Sequence, residues 1–255
     1  MPTTTRTPKS PMSPTRKAAL IAGVAYILTF IGSIPALPLY HDLLNDPDYL
    51  LGNASDTGVL WGALGEIVCA LTGIVTAVAL YPIARRHSER AALGFITSRV
   101  LEASMIFVGV LSVLSLVTLH DAGAPAGEAG SLLTTGRGLV ALRDWTFLLG
   151  PGLAPAISAL CIGTVMYRTG LVPRIIPTMG LIGAPLLLAS STASLFGAWD
   201  QVSGTAVLMA LPIATWELSF GIYMAVKGFR TPAVPGTPVG APPADDQELA
   251  QPAFA

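Results

Sequence analysis

The sequence predicts an all-α membrane protein, built as a six-transmembrane-helix bundle with both termini in the cytoplasm. Three observations lead to this prediction: the composition, the lengths of the apolar runs and the distribution of basic residues. Of the 255 residues, 52% are hydrophobic and only 11% are charged, whereas soluble domains carry about 25% charged residues. Too few polar side chains remain to cover a surface in water, so lipid must solvate much of the chain.

Six apolar runs follow one another, and each approaches or exceeds the ~20 residues that cross a bilayer as a helix. They cover residues 18–37, 59–83, 95–119, 145–167, 175–196 and 206–226. Only helices satisfy their own backbone hydrogen bonds inside hydrocarbon, and no run shows the two-residue alternation of a membrane barrel. We therefore expect one transmembrane domain over residues 17–230, flanked by disordered cytoplasmic tails over 1–16 and 231–255.

The first run also has the charged flank of a secretory signal peptide, because Arg16 and Lys17 precede it. Its length, about 20 residues, exceeds the usual 7–15 of a signal-peptide core. Pro35 and Pro38 occupy the region where cleavage would occur, and no A-x-A site follows the run. We therefore expect an uncleaved helix.

The basic residues predict the orientation of the bundle. They lie before the first run and in every second connection after it: Arg6, Lys9, Arg16, Lys17, Arg85, Arg86, Arg90, Arg168, Arg174, Lys227 and Arg230. The alternate connections hold only Arg137 and Arg143 and are rich in aspartate. Because Lys and Arg accumulate in cytoplasmic loops, both termini are expected in the cytoplasm. The protein itself is expected to be a multi-pass protein of the cell membrane.

Four ionisable residues inside the predicted spans are the candidate site residues: Glu66, Arg99, Glu102 and Glu217. A charge at the centre of a membrane helix costs about 2.5–3.5 kcal/mol, so it persists where it faces the bundle interior and finds a partner. Arg99 and Glu102 are three residues apart on one helical face, and Arg99 can also extend toward Glu217. These residues predict an intramembrane polar network, which is either structural or ligand-binding.

Stripes of small or weakly polar residues run along two of the predicted helices. Their members are Gly58, Gly62, Gly65, Cys69, Thr72 and Thr76 beside Glu66, and Ala210, Ala214, Gly221 and Ala225 around Glu217. Small residues let helix backbones approach closely in lipid, so both stripes are expected to be packing seams. Both carboxylates should therefore point inward.

Helix four is predicted to kink or unwind at Pro151-Gly152 and Pro155, because each proline removes a backbone donor. Broken helices can form transporter binding sites, although glycine and proline are also frequent in ordinary membrane helices. Arg143 and Asp144 are expected to open helix four at the outer surface. There Asp144 would interact favourably with the helix N-terminus.

The histidines give little support for an enzyme or a metal site. All three lie in connections, so neither paired haem ligation nor a serine–histidine protease within the membrane is supported. The pairs His41-Asp42 and His120-Asp121 share the outer side, where two such pairs could bind a metal. We expect their proximity to be a coincidence, and we expect neither a metal site nor a cofactor.

Other motifs exclude further classes of protein. Cys69 and Cys161 lie inside apolar runs without a CxxC partner, which supports neither a disulfide framework nor a zinc knuckle. The chain has no Walker loop, GxGxxG fingerprint or HExxH motif. Its net charge of −1 gives no basic patch for nucleic acid, so nucleic acid is not an expected partner.

Several short segments together resemble the bacterial domain-of-unknown-function 4386 family of integral membrane proteins. They are Arg16-Lys17-Ala18 with Gly23, Arg99-Val100-Leu101-Glu102-Ala103, Gly170-Leu171-Val172-Pro173-Arg174, Met179-Gly180-Leu181-Ile182-Gly183, Pro212 with Trp216-Glu217-Leu218, and Lys227-Gly228-Phe229. The order of these segments carries the resemblance, which covers residues 16–230. It implies a multi-helix protein of a bacterial plasma membrane and supplies neither an activity nor a catalytic residue.

Three functions stay open at this point. The first is a non-enzymatic membrane protein whose polar network is structural and which acts in the lipid bilayer as a homo-oligomer or with a membrane protein partner. The second is a small proton- or cation-coupled transporter, in which Glu66 and Glu217 bind a proton or a cationic substrate near the kinked helix four. The third is a membrane enzyme that acts on lipid with a carboxylate as general base.

Overall fold

The computed structural model describes residues 12–46, 49–52, 54–123 and 128–230, and all regular structure in these residues is helical. Six helical segments are long and apolar enough to cross a membrane. The prediction of an all-α, six-helix membrane bundle is therefore confirmed. The predicted tail 231–255 and residues 1–11 of the other tail lie outside the described residues.

The described chain contains the following elements. The α-helices are α1 Pro14–Ser33, α2 Ala36–Leu39, α3 His41–Asn45, α4 Thr57–Ala84, α5 Glu89–Ala122, α6 Ala129–Leu149, α7 Ala154–Ser158, α8 Thr164–Thr169, α9 Ile175–Leu195 and α10 Gly204–Val226. A 3-10 turn covers Tyr49–Leu51, and a π-helix over Ala159–Gly163 joins α7 to α8. Helix α3 and the 3-10 turn lie in the connection between the first two spans. Because the number of crossings is even, the first and last described residues lie at the same end of the bundle, which we call the terminal end. We call the opposite end the distal end.

The third and fourth segments are longer than the sequence predicts. Helix α5 has 34 residues, and the fourth segment, Ala129–Thr169, has 41. At 1.5 Å per residue, α5 alone is about 51 Å long, well beyond the ~30 Å hydrocarbon core. The two segments run antiparallel, and the Ser112 hydroxyl donates a 2.6 Å hydrogen bond to the Leu139 carbonyl. Hydropathy did not reveal the added turns, because packing between the two helices stabilises them outside the apolar runs.

A compact apolar cluster covers the distal end. Its buried members come from the segment after α1, from α4 and from the distal half of α5: Ala36, Tyr40, Leu43, Tyr49, Leu50, Val59, Val113, Leu116 and Val117. Gly136 of α6 is in contact with the Leu50 side chain, so α6 closes the same cluster. The connection between the first two crossings is thus part of the folded bundle.

Helix α1 packs closely against α10 near the terminal end and against α4 nearer the distal end. Near the terminal end, Gly23 is packed against the backbone of Gly221 and Ala225 in α10. Nearer the distal end, Gly32 meets Gly65 of α4 so closely that a Cβ on either residue would collide with the other backbone. Gly65 of the α4 stripe and Gly221 and Ala225 of the α10 stripe therefore lie in packing seams. Helix α1 lies farther from α10 toward the distal end.

Arg16 fixes the start of α1 against the end of α10. Helix α1 begins at Pro14, inside the predicted tail 1–16, and the Ser13 hydroxyl accepts a 3.3 Å hydrogen bond from the Arg16 amide. The Arg16 guanidinium donates to the carbonyls of Met224, Ala225 and Val226, at 2.8, 2.7 and 3.2 Å. The carbonyls belong to the last turn of the helix, where backbone acceptors lack intrahelical donors; that of Met224 also accepts from the Gly228 amide at 3.2 Å.

Replacement of Arg16 by glutamine should therefore lower the thermal midpoint of the purified protein by a few degrees. The three lost hydrogen bonds to helix-terminal carbonyls correspond to about 1–2 kcal/mol of stability. Lys17→Gln is the matched control, because Lys17 is exposed and carries the same charge. Equal midpoints for the two variants would show that Arg16 does not stabilise this junction.

The fourth crossing is interrupted where the sequence predicts a kink. Helix α6 ends at Leu149 and α7 begins at Ala154, with Pro151 and Gly152 in the turn between them. The Gly152 carbonyl accepts a 2.6 Å hydrogen bond from the Ser191 hydroxyl of α9. A neighbouring helix thus satisfies a backbone group that the break leaves free, as membrane proteins require.

Candidate functional site

Three of the four candidate site residues meet at the centre of the bundle. Nη1 of Arg99 donates to Oε2 of Glu102 at 2.9 Å, and Nη2 forms a short ion pair with Oε1 of Glu217. Nη2 also donates to the Tyr26 hydroxyl at 3.1 Å. Only 2% of Arg99 is exposed, so one buried guanidinium joins α1, α5 and α10.

Glu66 has a different partner from the other two carboxylates. Its Oε1 accepts a hydrogen bond from Nη2 of Arg143, and its Oε2 accepts one from the Tyr40 hydroxyl at 3.3 Å. Arg143 lies well inside α6 and is 3% exposed. The expectation that Arg143 and Asp144 open a helix is therefore wrong, because α6 begins at Ala129 and Asp144 is nowhere near its first turn.

The sequence offered one indirect signal for the partner of Glu66. Three carboxylates and a single arginine fall inside the predicted spans, so a second buried cation is needed on the outer half of the bundle. Only Arg137 and Arg143 are available there. Arg137 is exposed, whereas Arg143 is buried. The rotation of α6 about its axis decides which of the two arginines can pair with Glu66.

A cavity of about 300 Å³ lies among these ion pairs. Glu66, Glu102 and Glu217 all contribute to its lining. Pro151 and Pro155, which flank the break between α6 and α7, form part of another wall. The remaining wall is largely apolar and includes Phe30, Ile34, Leu37, Ile106, Phe147, Leu187, Ala210, Ile213 and Ala214. The distal part of the α10 stripe therefore lines this central cavity, while its terminal part packs against α1.

The charges around the central cavity do not balance. Three carboxylates, from α4, α5 and α10, face two guanidinium groups, Arg99 and Arg143. With all five groups ionised, the net charge is −1. Each of the three glutamates is 8% exposed, and no third arginine pairs with them in the described part of the chain.

Aromatic side chains close the cavity toward the terminal end. Tyr26, Phe95 and Phe220 are each at most 1% exposed. Each lies nearer the terminal end of its helix than the cavity residues of the same helix do. Rings of Tyr26 and Phe220 pack edge to face with centroids 5.7 Å apart, and Arg99 lies over both Tyr26 and Phe95.

Toward the distal end lies a second, larger space of about 690 Å³, which we call the vestibule. Polar residues of its lining include Asn45, Arg143, Asp144, Asp200 and Gln201. Leu37 and Phe147 line both the vestibule and the central cavity. Leu37 and Phe147 thus lie at the boundary between the central cavity and the vestibule, whereas the buried rings of Tyr26, Phe95 and Phe220 lie toward the terminal end.

The histidine pairs of the distal side do not come together as one cluster. His120 lies with Asp56 and Asp121, and their ligand atoms are within 4.8 Å of one another. Nδ1 of His120 is 2.9 Å from Asp56 Oδ2, and Nε2 is 3.2 Å from the Gly52 carbonyl. Because both ring nitrogens already have protein acceptors, this group serves as a link between the first connection and α5.

Tyr49 completes that link, since its hydroxyl donates to Asp56. Burial, with the Asp56 carboxylate beside it, raises the pKa of the Tyr49 phenol, so the hydroxyl stays protonated and remains a donor. His41 contacts Asp42 at the exposed surface instead. The possible ligand group Asp56, His120 and Asp121 therefore lies outside the lining of the central cavity.

A family model covers most of the chain. The model described as "Domain of unknown function (DUF4386)" matches residues 21–228, which include all six crossings except the first turns of α1. No match was found among curated proteins or among solved structures. The matched region contains both ion-pair groups and the entire lining of the central cavity. The chain therefore belongs to the DUF4386 family.

Proposed function

We propose that this protein is a small proton- or cation-coupled carrier of a bacterial plasma membrane. The observation that carries the proposal is the convergence of three carboxylates from three helices on one intramembrane cavity with only two compensating arginines. Glu66, Glu102 and Glu217 would take up the proton or cation that neutralises the site. No feature of the cavity favours a catalytic role for them.

The charge excess favours a carrier over a purely structural network. Buried ion pairs stabilise a fold weakly at best, because the desolvation of both charges offsets their attraction. A third buried carboxylate adds its own desolvation cost while it shares the single guanidinium of Arg99 with another carboxylate. Intramembrane carboxylates in such surroundings mark proton and ion pathways in pumps and transporters.

The position of the cavity supports uptake from one side. Leu37 and Phe147 lie between the cavity and the vestibule at the distal end. The buried aromatic rings of Tyr26, Phe95 and Phe220 close the cavity toward the terminal end. The distribution of basic residues favours cytoplasmic termini. With that orientation, the cavity faces the outside of the cell, and the interrupted fourth crossing lies at its wall, as in carriers with broken helices.

Reconstituted protein on a solid-supported membrane should produce transient currents when the outer solution is stepped in pH, Na⁺ or K⁺. At least one of these steps should give a current in wild type, because a cation then binds within the membrane. Glu217→Gln should reduce that current to the level of protein-free vesicles. Glu89→Gln is the control, since Glu89 is an exposed carboxylate of α5 that does not line the cavity.

Wild-type protein that is monodisperse and thermally stable, but gives no current with any of the three cations, would contradict the carrier. The ion pairs would then be a static network that braces the helices, and the protein would act through partners. A current that persists undiminished in Glu217→Gln would also contradict the proposed role of the cavity.

A further inference from the structure

We propose that the central cavity binds an organic monocation with an apolar body, such as an amine or quaternary ammonium compound. This inference rests on the proposed cation-binding function of the same site and goes further by naming the class of substrate. Three features of the cavity support it: its volume, the nature of its walls and the position of its carboxylates.

The volume exceeds what a proton or a bare metal ion requires. The cavity measures about 300 Å³, which lies at the lower end of the ~300–1,000 Å³ range of small-molecule sites. One water molecule takes up about 30 Å³ in the liquid. A site for an inorganic ion alone would be lined by converging oxygen atoms at 2–3 Å from the ion, and the space here is far wider.

The walls combine apolar and aromatic surface with the three carboxylates. Phe30 and Ile34 of α1 and Ala214 of α10 belong to the apolar part of the lining. Glu66, Glu102 and Glu217 form its acidic part. A ligand with a charged head and an apolar body satisfies both parts of the lining, because each part meets a surface of matching polarity.

Aromatic rings add a second contribution to the recognition of a cation. The Arg143 guanidinium already lies 5.2 Å from the Phe147 ring centroid, which shows that this part of the wall accommodates positive charge. Phe30 lines the same cavity, and its ring is engaged by no cation in the described part of the chain. Quaternary ammonium groups bind well to such rings beside carboxylates, because the ring face is negative.

The charge balance selects a single positive charge. Arg99 and Arg143 compensate two of the three carboxylates, so the site has one negative charge in excess when all three carboxylates are ionised. One monocation restores neutrality, whereas a neutral ligand leaves the excess in place and an anion doubles it. A dication would overcompensate the site unless one arginine moved away.

The test compares three water-soluble probes by isothermal titration calorimetry on the full-length protein in detergent. Benzyltrimethylammonium has both the charge and the apolar body, tetramethylammonium has the charge alone, and 3-phenylpropanoate has the body with the opposite charge. Benzyltrimethylammonium should bind at least about tenfold more tightly than tetramethylammonium, because it also buries a phenyl ring. The carboxylate probe should not bind.

Two variants of α10 show whether this binding occurs in the cavity. Ala214→Leu fills part of the space from the apolar wall and keeps all three glutamates and both arginines, and it should weaken the binding of benzyltrimethylammonium at least about tenfold. Thr215→Leu places the same side chain at the next residue, which is exposed and outside the cavity lining, and should leave the binding unchanged.

The results separate this inference from the carrier proposal. Currents on cation steps together with equal affinities for the two ammonium probes would overturn the organic-cation inference and leave the carrier intact. Tight binding of 3-phenylpropanoate, or equal effects of the two α10 variants, would overturn it as well. A folded protein that responds to none of the cations, inorganic or organic, would overturn both proposals.

Discussion

Replacement of Arg99 by methionine should destabilise the protein by about 3–5 kcal/mol, the largest effect expected for a single substitution in this chain. Methionine has a similar length, so packing among the helices is largely kept and the lost charge dominates. Glu102 and Glu217 would remain buried close together with no cation between them. The measurement is thermal unfolding in one detergent, monitored by near-ultraviolet circular dichroism.

Two further variants make the result for Arg99 interpretable. Arg137→Met removes an equivalent charge from an exposed position of α6 and should leave the midpoint unchanged. The triple variant Arg99→Met, Glu102→Gln, Glu217→Gln should regain part of the loss, because no uncompensated charge is left. A single Arg99→Met variant as stable as wild type would show that the two carboxylates do not depend on this arginine.

The second largest effect is expected for Arg143→Gln, at about 2–3 kcal/mol of lost stability. Glu66 would lose its cation and keep only the Tyr40 hydroxyl as a partner. The loss should be smaller than for Arg99, because Arg143 also lines the vestibule, from which water can reach the vacated space. Thermal unfolding beside Arg137→Gln, a matched change on the same helix, measures the difference.

A double-mutant cycle with Glu66→Gln assigns that loss to the ion pair. If Arg143 stabilises the bundle through Glu66, the double variant should be more stable than the sum of the single losses predicts. Strictly additive losses would mean that Arg143 acts through other contacts, such as its position over the rings of Tyr40 and Phe147.

The sequence by itself determined the number of crossings and the break in the fourth. Both conclusions rest on short-range chemistry: an apolar run of sufficient length must be helical in lipid, and Pro151-Gly152 removes a backbone donor within such a run. The family resemblance, drawn from short motifs, was confirmed over residues 21–228. The cytoplasmic position of the termini rests on loop charge and stays a prediction.

Helix ends and the full extent of α5 and α6 depended on tertiary packing. From hydropathy, the third apolar run ends at residue 119 and the fourth begins at residue 145. In the structure, the helix that contains the start of the fourth run, α6, already begins at Ala129. The added turns are polar on one face and are held by antiparallel packing and by the apolar cluster around Tyr49 and Leu50. No local pattern reports such support, because the partners are far apart in the chain.

The sequence also identified four of the five charges in the two ion-pair groups, Glu66, Arg99, Glu102 and Glu217, since hydrocarbon penalises them wherever the helices pack. It missed the fifth, Arg143. Only the tertiary structure decided how they pair and what they enclose. The rotation of α6 turns Arg143 toward Glu66, and the divergence of α1 from α10 leaves the cavity between the ion pairs. Both depend on helix rotation and crossing, which are set by contacts between distant segments and not by the order of residues within one helix.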